Sequence, residues 1–259
     1  MNIFSISLRL LFSKKQFSYT NISIFLSLFS FMLSICISLL AIGVSRGYKS
    51  NVELEISKIE PDILVTSSMG DFIPSDLINS FIEKNASFSS DSLIYAKYIE
   101  THAMIKKKDN SRGILIYGME KEKISQIFNF KYLNEDNHED DFLFVSKYLY
   151  DELALSQNEE VYIFNIYKML ESQEIRGIKN KVTAIYESNI KRFDENVVFM
   201  SFTSIKKLLE IDNNYSGLMI ENINNNYLSH IENQPELFYQ TWDEKYESLL
   251  SWLMIFSNP

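Results

Sequence analysis

The chain has 259 residues, of which 46% are hydrophobic and 14% aromatic, enough for one or two domains with a real core. A net charge of −9 argues against nucleic acid as a partner. The one cysteine, Cys36, lies in an apolar stretch. This excludes a small exterior domain held together by disulfides and fits a bacterial envelope protein.

The first 21 residues carry apolar side chains with three basic residues and no acidic one. This composition predicts a short amphipathic helix on the cytoplasmic face of a membrane, with a segment lacking fixed structure as the alternative. Residues 22–44 then form an apolar run without proline. At ~1.5 Å per residue, a helix of this length spans roughly 34 Å, against about 30 Å for the hydrocarbon core of a bilayer. We therefore predict a transmembrane helix over residues 22–45.

The flanking charges predict the orientation of this helix. Arg9, Lys14 and Lys15 precede the run and would stay in the cytoplasm, because short basic flanks are retained there. The acidic remainder then lies outside, in the periplasm beyond a bacterial inner membrane. The alternative is a cleaved signal peptide, whose hydrophobic region would be only ~7–15 residues long, with Ala41 and Gly43 as the cleavage pair.

Serines recur along the run with spacings of three and four residues, which places them within roughly an 80° arc of the helix. A stripe of small residues lets a second helix approach closely, and the hydroxyls can bond across the contact. The alternative is that the hydroxyls bond back to their own helix and the serines are merely tolerated. The predicted packing stripe consists of Ser23, Ser27, Ser30, Ser34 and Ser38.

After the run, a helical continuation is expected to end before Pro61, because the residue preceding a proline avoids helical backbone angles. Strands and helices then alternate, which predicts an α+β domain with largely antiparallel sheets. The predicted strands cover 62–67, 93–107, 113–118, 142–145, 161–167, 181–186, 197–201 and 217–222. The predicted helices cover 75–84, 121–128, 146–153, 203–211 (capped by Thr203) and 225–232. An irregular loop is expected from Lys168 to Asn180. The organisation is therefore 1–21 cytoplasmic helix, 22–45 transmembrane helix, 46–240 periplasmic core domain, and 241–259 stalk.

No catalytic pattern is present in the sequence. The three histidines, His102, His138 and His230, lack the spacing of metal ligands. Nucleophile-elbow, Walker A and dinucleotide-binding motifs are also missing. We therefore expect no enzymatic activity, no metal and no cofactor, and any ATP hydrolysis that powers this protein should occur on a separate chain.

The order of these parts resembles the MacB/LolC-type (FtsX-like) ABC transporter permeases, with LolC and LolE, the lipoprotein-releasing permeases, as the nearest likeness. The segments that carry the resemblance are LLFSKK (10–15), LLAIGVSRGY (39–48), IEPDILVTS (59–67), IYGME (116–120), FVSKYLYDELAL (144–155) and TWDEKYESLL (241–250). Arg46 departs from the asparagine that is usual in the family. The family has four spans, and this chain stops at Pro259, where the second span is expected to begin.

The resemblance implies a MacB-like periplasmic domain and a permease subunit that extracts lipoproteins from the inner membrane. The implied partners are a cytoplasmic ABC ATPase dimer, a second permease subunit, membrane lipid, and a periplasmic lipoprotein carrier docking near the loop from Lys168 to Asn180. The side chains expected to line the substrate path are Leu39, Leu40, Ile42, Val44 and Tyr48, and their alternative role is that of ordinary lipid-facing anchors.

Two other functions fit the same sequence. The first is a single-span sensor or scaffold with an exterior ligand domain, in which the serine stripe serves dimerisation. The second is an efflux permease of the MacB kind. A secreted enzyme fits less well, because the catalytic motifs are missing.

Overall fold

The computed structural model describes residues 19–70, 72–86, 93–128, 130–135, 141–156, 158–167, 177–222 and 234–257. Most of the predicted cytoplasmic helix, the predicted helix at 225–232 and the loop from Lys168 as far as residue 176 lie outside the described residues. The chain divides into two compact units, one formed by Met1–Val52 and Ser248–Pro259 and the other by Glu53–Glu247.

The described residues of the first unit are helical. Helix α1, Tyr19–Ile56, runs for 38 residues. By length and composition, its segment Ile22–Ile56 could cross a membrane, and it is the one helix in the described part of the chain that meets this criterion. The helix ends five residues before Pro61, as expected from the restriction that proline places on the preceding backbone. The final helix, Glu247–Ser257, is also largely apolar.

The second unit alternates strands and short helices. Its strands are β1 Ile63–Ser67, β2 Ile73–Pro74, β3 Leu93–Lys107, β4 Asn110–Gly118, β5 Lys131–Glu135, β6 Leu143–Ser146, β7 Glu160–Asn165, β8 Gly177–Lys181, β9 Ala184–Glu187, β10 Val197–Met200, β11 Asn214–Tyr215, β12 Gly217–Asn222 and β13 Leu237–Thr241. Its helices are α2 Ser75–Ala86, α3 Lys121–Ile127, α4 Lys147–Glu152, α5 Lys191–Asp194, α6 Phe202–Leu209 and α7 Trp242–Lys245, after which α8 is the helix Glu247–Ser257.

Among the described residues, eleven strands form one sheet in the order β13-β1-β12-β3-β4-β10-β6-β9-β5, with β7 and β8 added beside β3. The long strand β3 links the two halves of the sheet, since it pairs with β12 along its first residues and with β4 and β7 further on. Of the strand pairs that the described residues form, only β10–β4 and β6–β9 are parallel. The predicted α+β class with a largely antiparallel sheet is confirmed.

Helices cover both faces of this sheet. On one face, α6 packs on aliphatic side chains that include Ile99 and Ile116. The opposite face of the same strands is aromatic, and the rings of Phe128 and Phe199 lie 5.0 Å apart. A third cluster joins β1 and β12 to α2 through Phe81. Burying a large apolar side chain of this kind stabilises the folded state by roughly 1.5–3 kcal/mol. The three clusters therefore hold the sheet and its helices together.

Several predicted elements differ from the structure in detail. Helix α6 is capped by Ser201, whose hydroxyl accepts from the backbone N–H of Ser204, and Thr203 lies inside the helix. The predicted strand at 181–186 is two strands, because the chain leaves one pairing at Lys181 and begins another at Ala184. The expected loop from Lys168 to Asn180 ends early, since β8 begins at Gly177.

Candidate functional site

The predicted substrate-path residues lie on α1, in the second half of the apolar run and, for Tyr48, just after it. Leu39, Leu40, Val44 and Tyr48 are 64%, 68%, 72% and 59% exposed, and Ile42 is half-buried. An exposed aliphatic surface of this size on a soluble helix would be unusual, whereas lipid or another apolar helix covers it without cost. The arrangement suits both the predicted path and plain anchoring.

The serine stripe faces outward along the same helix. The hydroxyls of Ser27, Ser30 and Ser38 donate to the carbonyl oxygens of Ser23, Leu26 and Ser34, each at 2.9 Å. These hydroxyls are therefore satisfied by their own helix, which leaves a stripe of short side chains for a neighbouring helix to approach. Packing against a second span stays a prediction.

A second candidate site lies where the chain enters and leaves the α/β domain. Glu60 follows the end of α1, and Lys245 and Tyr246 precede α8. The Nζ of Lys245 donates to both carboxylate oxygens of Glu60, at 2.9 and 2.7 Å, and the Tyr246 hydroxyl donates to the same carboxylate at 2.7 Å. The Glu60 side chain is only 15% exposed. We call these three residues the junction clasp.

Next to the junction clasp, β3 and β4 present a half-buried carboxyl among tyrosines. Glu100 pairs with Tyr117 across the two strands, and the Tyr117 hydroxyl is bonded to the carboxyl group. Burial raises the pKa of Glu100, and Lys245 and His102 oppose that rise through their charge. Burial also raises the pKa of the Tyr98 and Tyr117 hydroxyls. These phenols therefore act as neutral hydrogen-bond donors.

A second carboxyl with an altered pKa lies on β12. Burial and the neighbouring charge of Asp62 raise the pKa of Glu221 to about 7, although Glu221 accepts a hydrogen bond at 3.4 Å from the backbone N–H of Asp62. Glu221 lines an open groove with Lys58 at the start of the α/β domain.

These groups can form ion pairs and hydrogen bonds, and the carboxyl groups can change their protonation state. In the described part of the chain, no group of three or more His, Cys, Asp or Glu residues is arranged to hold a metal ion. The junction clasp combines a charge-assisted pair with a phenol, which is a strong way to bind two chain segments together. Its direct effect is mechanical, because it ties the entry and exit segments of the domain to each other.

Sequence reasoning identified the residues of α1 and missed the junction clasp and Glu100. Glu60 and Lys245 are 185 positions apart, so no local spacing could pair them. A weak signal existed for Glu100. It shares the face of β3 that buries Ala96 and Tyr98, and a charged residue on a buried face often has a specific partner.

Comparison with family models and with curated proteins finds no match. The solved structures that are similar include two domains of ABC-type transporters. The extracellular domain of the noncanonic ABC-type transporter YknZ from Gram-positive bacteria has a TM-score of 0.48 and 8% identity, over 69% of this chain and 99% of that chain. The periplasmic region of MacB from Actinobacillus actinomycetemcomitans has a TM-score of 0.48 and 6% identity, over 75% of this chain and 95% of that chain.

Proposed function

We propose that this chain is the N-terminal part of a permease subunit of an ATP-driven ABC transporter in a bacterial cell membrane, with its main domain outside. The observation that carries the proposal is the junction clasp. A long apolar helix leads into the domain at Glu60, an apolar helix follows it after Tyr246, and the two connections are bonded by Lys245. In a domain with a single membrane anchor, a bond between these two chain segments would have no mechanical role.

The proposed role of the exterior domain is to move with its two membrane connections. Because the junction clasp joins the segment after α1 to the segment before α8, a displacement of one segment is passed to the other. ATP hydrolysis is assigned to a separate cytoplasmic ATPase dimer, and the chain itself is not an enzyme. A second permease subunit is proposed to pack on the serine stripe of α1.

The finer proposal concerns the substrate. An apolar, outward-facing surface at Leu39, Leu40, Ile42, Val44 and Tyr48 suits the acyl chains of a lipoprotein, which are as apolar as the lipid they leave. Delivery to a periplasmic carrier near the loop from Lys168 to Asn180 is part of the same proposal. A MacB-like efflux permease is the alternative within the transporter class.

The general proposal is tested by purifying the full-length protein from its native membrane in mild detergent. We expect a chain with a Walker A motif to copurify, identified by mass spectrometry, and the material to hydrolyse ATP with inhibition by vanadate. Absence of such a chain, together with a stop codon directly after Pro259, would overturn the proposal and favour a single-span sensor or scaffold.

The substrate is tested by placing a photo-reactive amino acid at Leu40 and, as the matched control, at Phe25 near the other end of the apolar run. Both residues are exposed, at 68% and 67%. We expect position 40 to capture an acylated protein and position 25 to capture much less of it. Capture of acylated protein at neither position would remove the lipoprotein proposal and leave the efflux permease.

A further inference from the structure

A groove of about 320 Å³ lies in the exterior domain beside the last residues of β1. This volume is at the lower end of the range for sites that hold small molecules. Its walls carry a carboxyl group, an imidazole and several hydroxyls, from Glu100, His102, Thr66, Ser67, Ser216 and Tyr167. None of these residues belongs to the junction clasp.

The backbone explains why the polar groups converge. Side chains alternate between faces along a strand, so Tyr98, Glu100 and His102 share one face of β3. Gly217 on β12 is paired with Tyr98. A Cβ atom at Gly217 would lie 2.9 Å from the Tyr98 ring and hydroxyl. The missing side chain at Gly217 therefore leaves the space that Tyr98 occupies in the floor of the groove.

The carboxyl group of Glu100 is fixed in place. The backbone N–H of Glu100 donates to the Ser216 hydroxyl at 2.8 Å, and the Tyr117 hydroxyl is bonded to the Glu100 carboxyl group. Lys245 is the nearby cation, and its Nζ donates to both carboxylate oxygens of Glu60. The charge of Lys245 also acts on Glu100, so two carboxyl groups lie near one ammonium group. A partly buried anion of this kind is stabilised by a cation placed next to it.

Aromatic rings stand beside this carboxylate. The rings of His102 and Tyr167 lie 6.2 Å apart at 54°, and Tyr167 is 53% exposed. The face of an aromatic ring attracts an organic cation, and a carboxylate adds the opposite charge. The hydroxyls of Thr66, Ser67 and Ser216 can both donate and accept hydrogen bonds, which suits a short polar tail on the cation.

We propose that this groove binds a small organic ammonium compound, with the cationic group between Glu100 and the Tyr167 ring and a hydroxylated tail toward Thr66 and Ser67. The ammonium group could be free in the periplasm or belong to a lipid headgroup. This site does not depend on the proposed transport function, and either can be wrong without the other.

The test is isothermal titration calorimetry of the full-length protein in maltoside detergent with choline as the probe. The uncharged carbon isostere of choline, dimethylbutanol, is the matched ligand control. We expect choline to bind at least about tenfold more tightly than dimethylbutanol, because only choline interacts with the carboxylate and the ring as a cation. Equal binding of the two, or no binding of choline, would overturn the proposal.

Variants locate the site. Glu100→Gln keeps the shape and removes the charge, and should weaken choline binding at least about tenfold. Glu83→Gln removes an exposed charge elsewhere in the domain, on α2, and should leave binding unchanged. Tyr167→Ala alters an exposed ring, which spares the core, and should weaken binding several-fold. Unchanged binding in both Glu100→Gln and Tyr167→Ala, each with a native circular dichroism spectrum, would overturn the proposal.

Reconstitution separates the two sources of the ammonium group. In nanodiscs of phosphatidylethanolamine, a groove that takes lipid headgroups should show weaker apparent binding of choline than in nanodiscs of phosphatidylglycerol. Equal choline affinity in the two nanodiscs assigns the groove to a free ligand. Loss of choline binding in both would contradict the proposal.

Discussion

Gly217 lies so close to the backbone of Val65 that a Cβ atom at position 217 would be 2.2 Å from the Val65 carbonyl oxygen. The two residues are on paired strands, β12 and β1, and Val65 is only 1% exposed. Because the neighbouring atom is backbone, it cannot move aside as a flexible side chain could. Only glycine therefore fits at position 217 without a steric clash.

We predict that Gly217→Ala destabilises the exterior domain by at least about 2–3 kcal/mol, since the strands must separate to admit the methyl group. Guanidinium unfolding of the full-length protein in detergent, followed by circular dichroism, measures this change. Gly113→Ala on β4 is the matched control, because a Cβ there meets nothing within 4 Å. The control should change stability by less than about 0.5 kcal/mol. Similar stability of the two variants would contradict the close approach.

The junction clasp gives a second prediction. We expect Glu60→Gln and Lys245→Met each to cost about 1 kcal/mol, with a coupling energy of roughly 0.5–1 kcal/mol between them, because Lys245 is 36% exposed and solvent weakens the pair. A double-mutant cycle on unfolding measures the coupling.

The control for this cycle is the pair Lys191 and Glu195, whose charged atoms are 3.6 Å apart and whose lysine is 81% exposed. Its coupling energy should be smaller, at about 0.3 kcal/mol. A coupling at the junction clasp no larger than that of this surface pair would show that the clasp does not hold the two chain segments together.

Most of the fold follows from local sequence pattern. The strand Gly217–Asn222 has the predicted bounds, because polar residues precede it and a short apolar run, Leu218 to Ile220, lies within it. The elements missed were short, such as Ile73–Pro74 and Asn214–Tyr215, whose two residues each are too few for a pattern. The strand Leu237–Thr241 was also missed, since its order depends on pairing with β1 across the sheet.

The candidate sites divide in the same way. The residues of α1 are recognisable because an apolar run is a property of consecutive positions. The junction clasp and the groove are products of tertiary structure, since Glu60 meets Lys245, and Glu100 meets Ser216, only after the sheet has formed. The predicted cap of α6 is wrong by two positions, because Ser201 and Thr203 both carry a hydroxyl that can cap a helix and only the backbone angles show where the helix begins.

The raised pKa of Glu221 predicts a pH dependence of stability. Its pKa is about 7 in the folded protein and near 4.5 when unfolded, so the folded state binds more protons between these values. The contribution of Glu221 to the free energy of unfolding is therefore greatest below pH 4.5 and is lost as the pH rises toward 7. Glu221→Gln stays neutral and can still accept the hydrogen bond from Asp62.

We expect Glu221→Gln to match the parent protein near pH 4.5 and to be more stable above pH 7, by on the order of 1 kcal/mol after allowance for solvent screening. Thermal unfolding at a series of pH values measures the difference between the two proteins. Glu122→Gln, at an exposed position on α3, should show no such trend with pH. A constant difference between Glu221→Gln and the parent protein across the series would show that the group ionises normally.

The serine stripe predicts which side of α1 meets a second span. Ser30 and Ser34 lie on the stripe, whereas Met32 and Cys36 lie roughly 160° from its centre. A double substitution Ser30→Leu, Ser34→Leu fills the stripe with larger side chains and prevents close approach of the helices. We expect the amount of copurifying permease partner, quantified by mass spectrometry, to fall at least about fivefold, as a loss of about 1 kcal/mol would produce.

The double substitution Met32→Leu, Cys36→Leu on the opposite side should leave that amount unchanged, provided both proteins reach the membrane at equal levels. Equal copurification with the two variants would instead mean that the hydroxyls of the stripe serve only their own helix, through the bonds that Ser27, Ser30 and Ser38 make to preceding carbonyl groups.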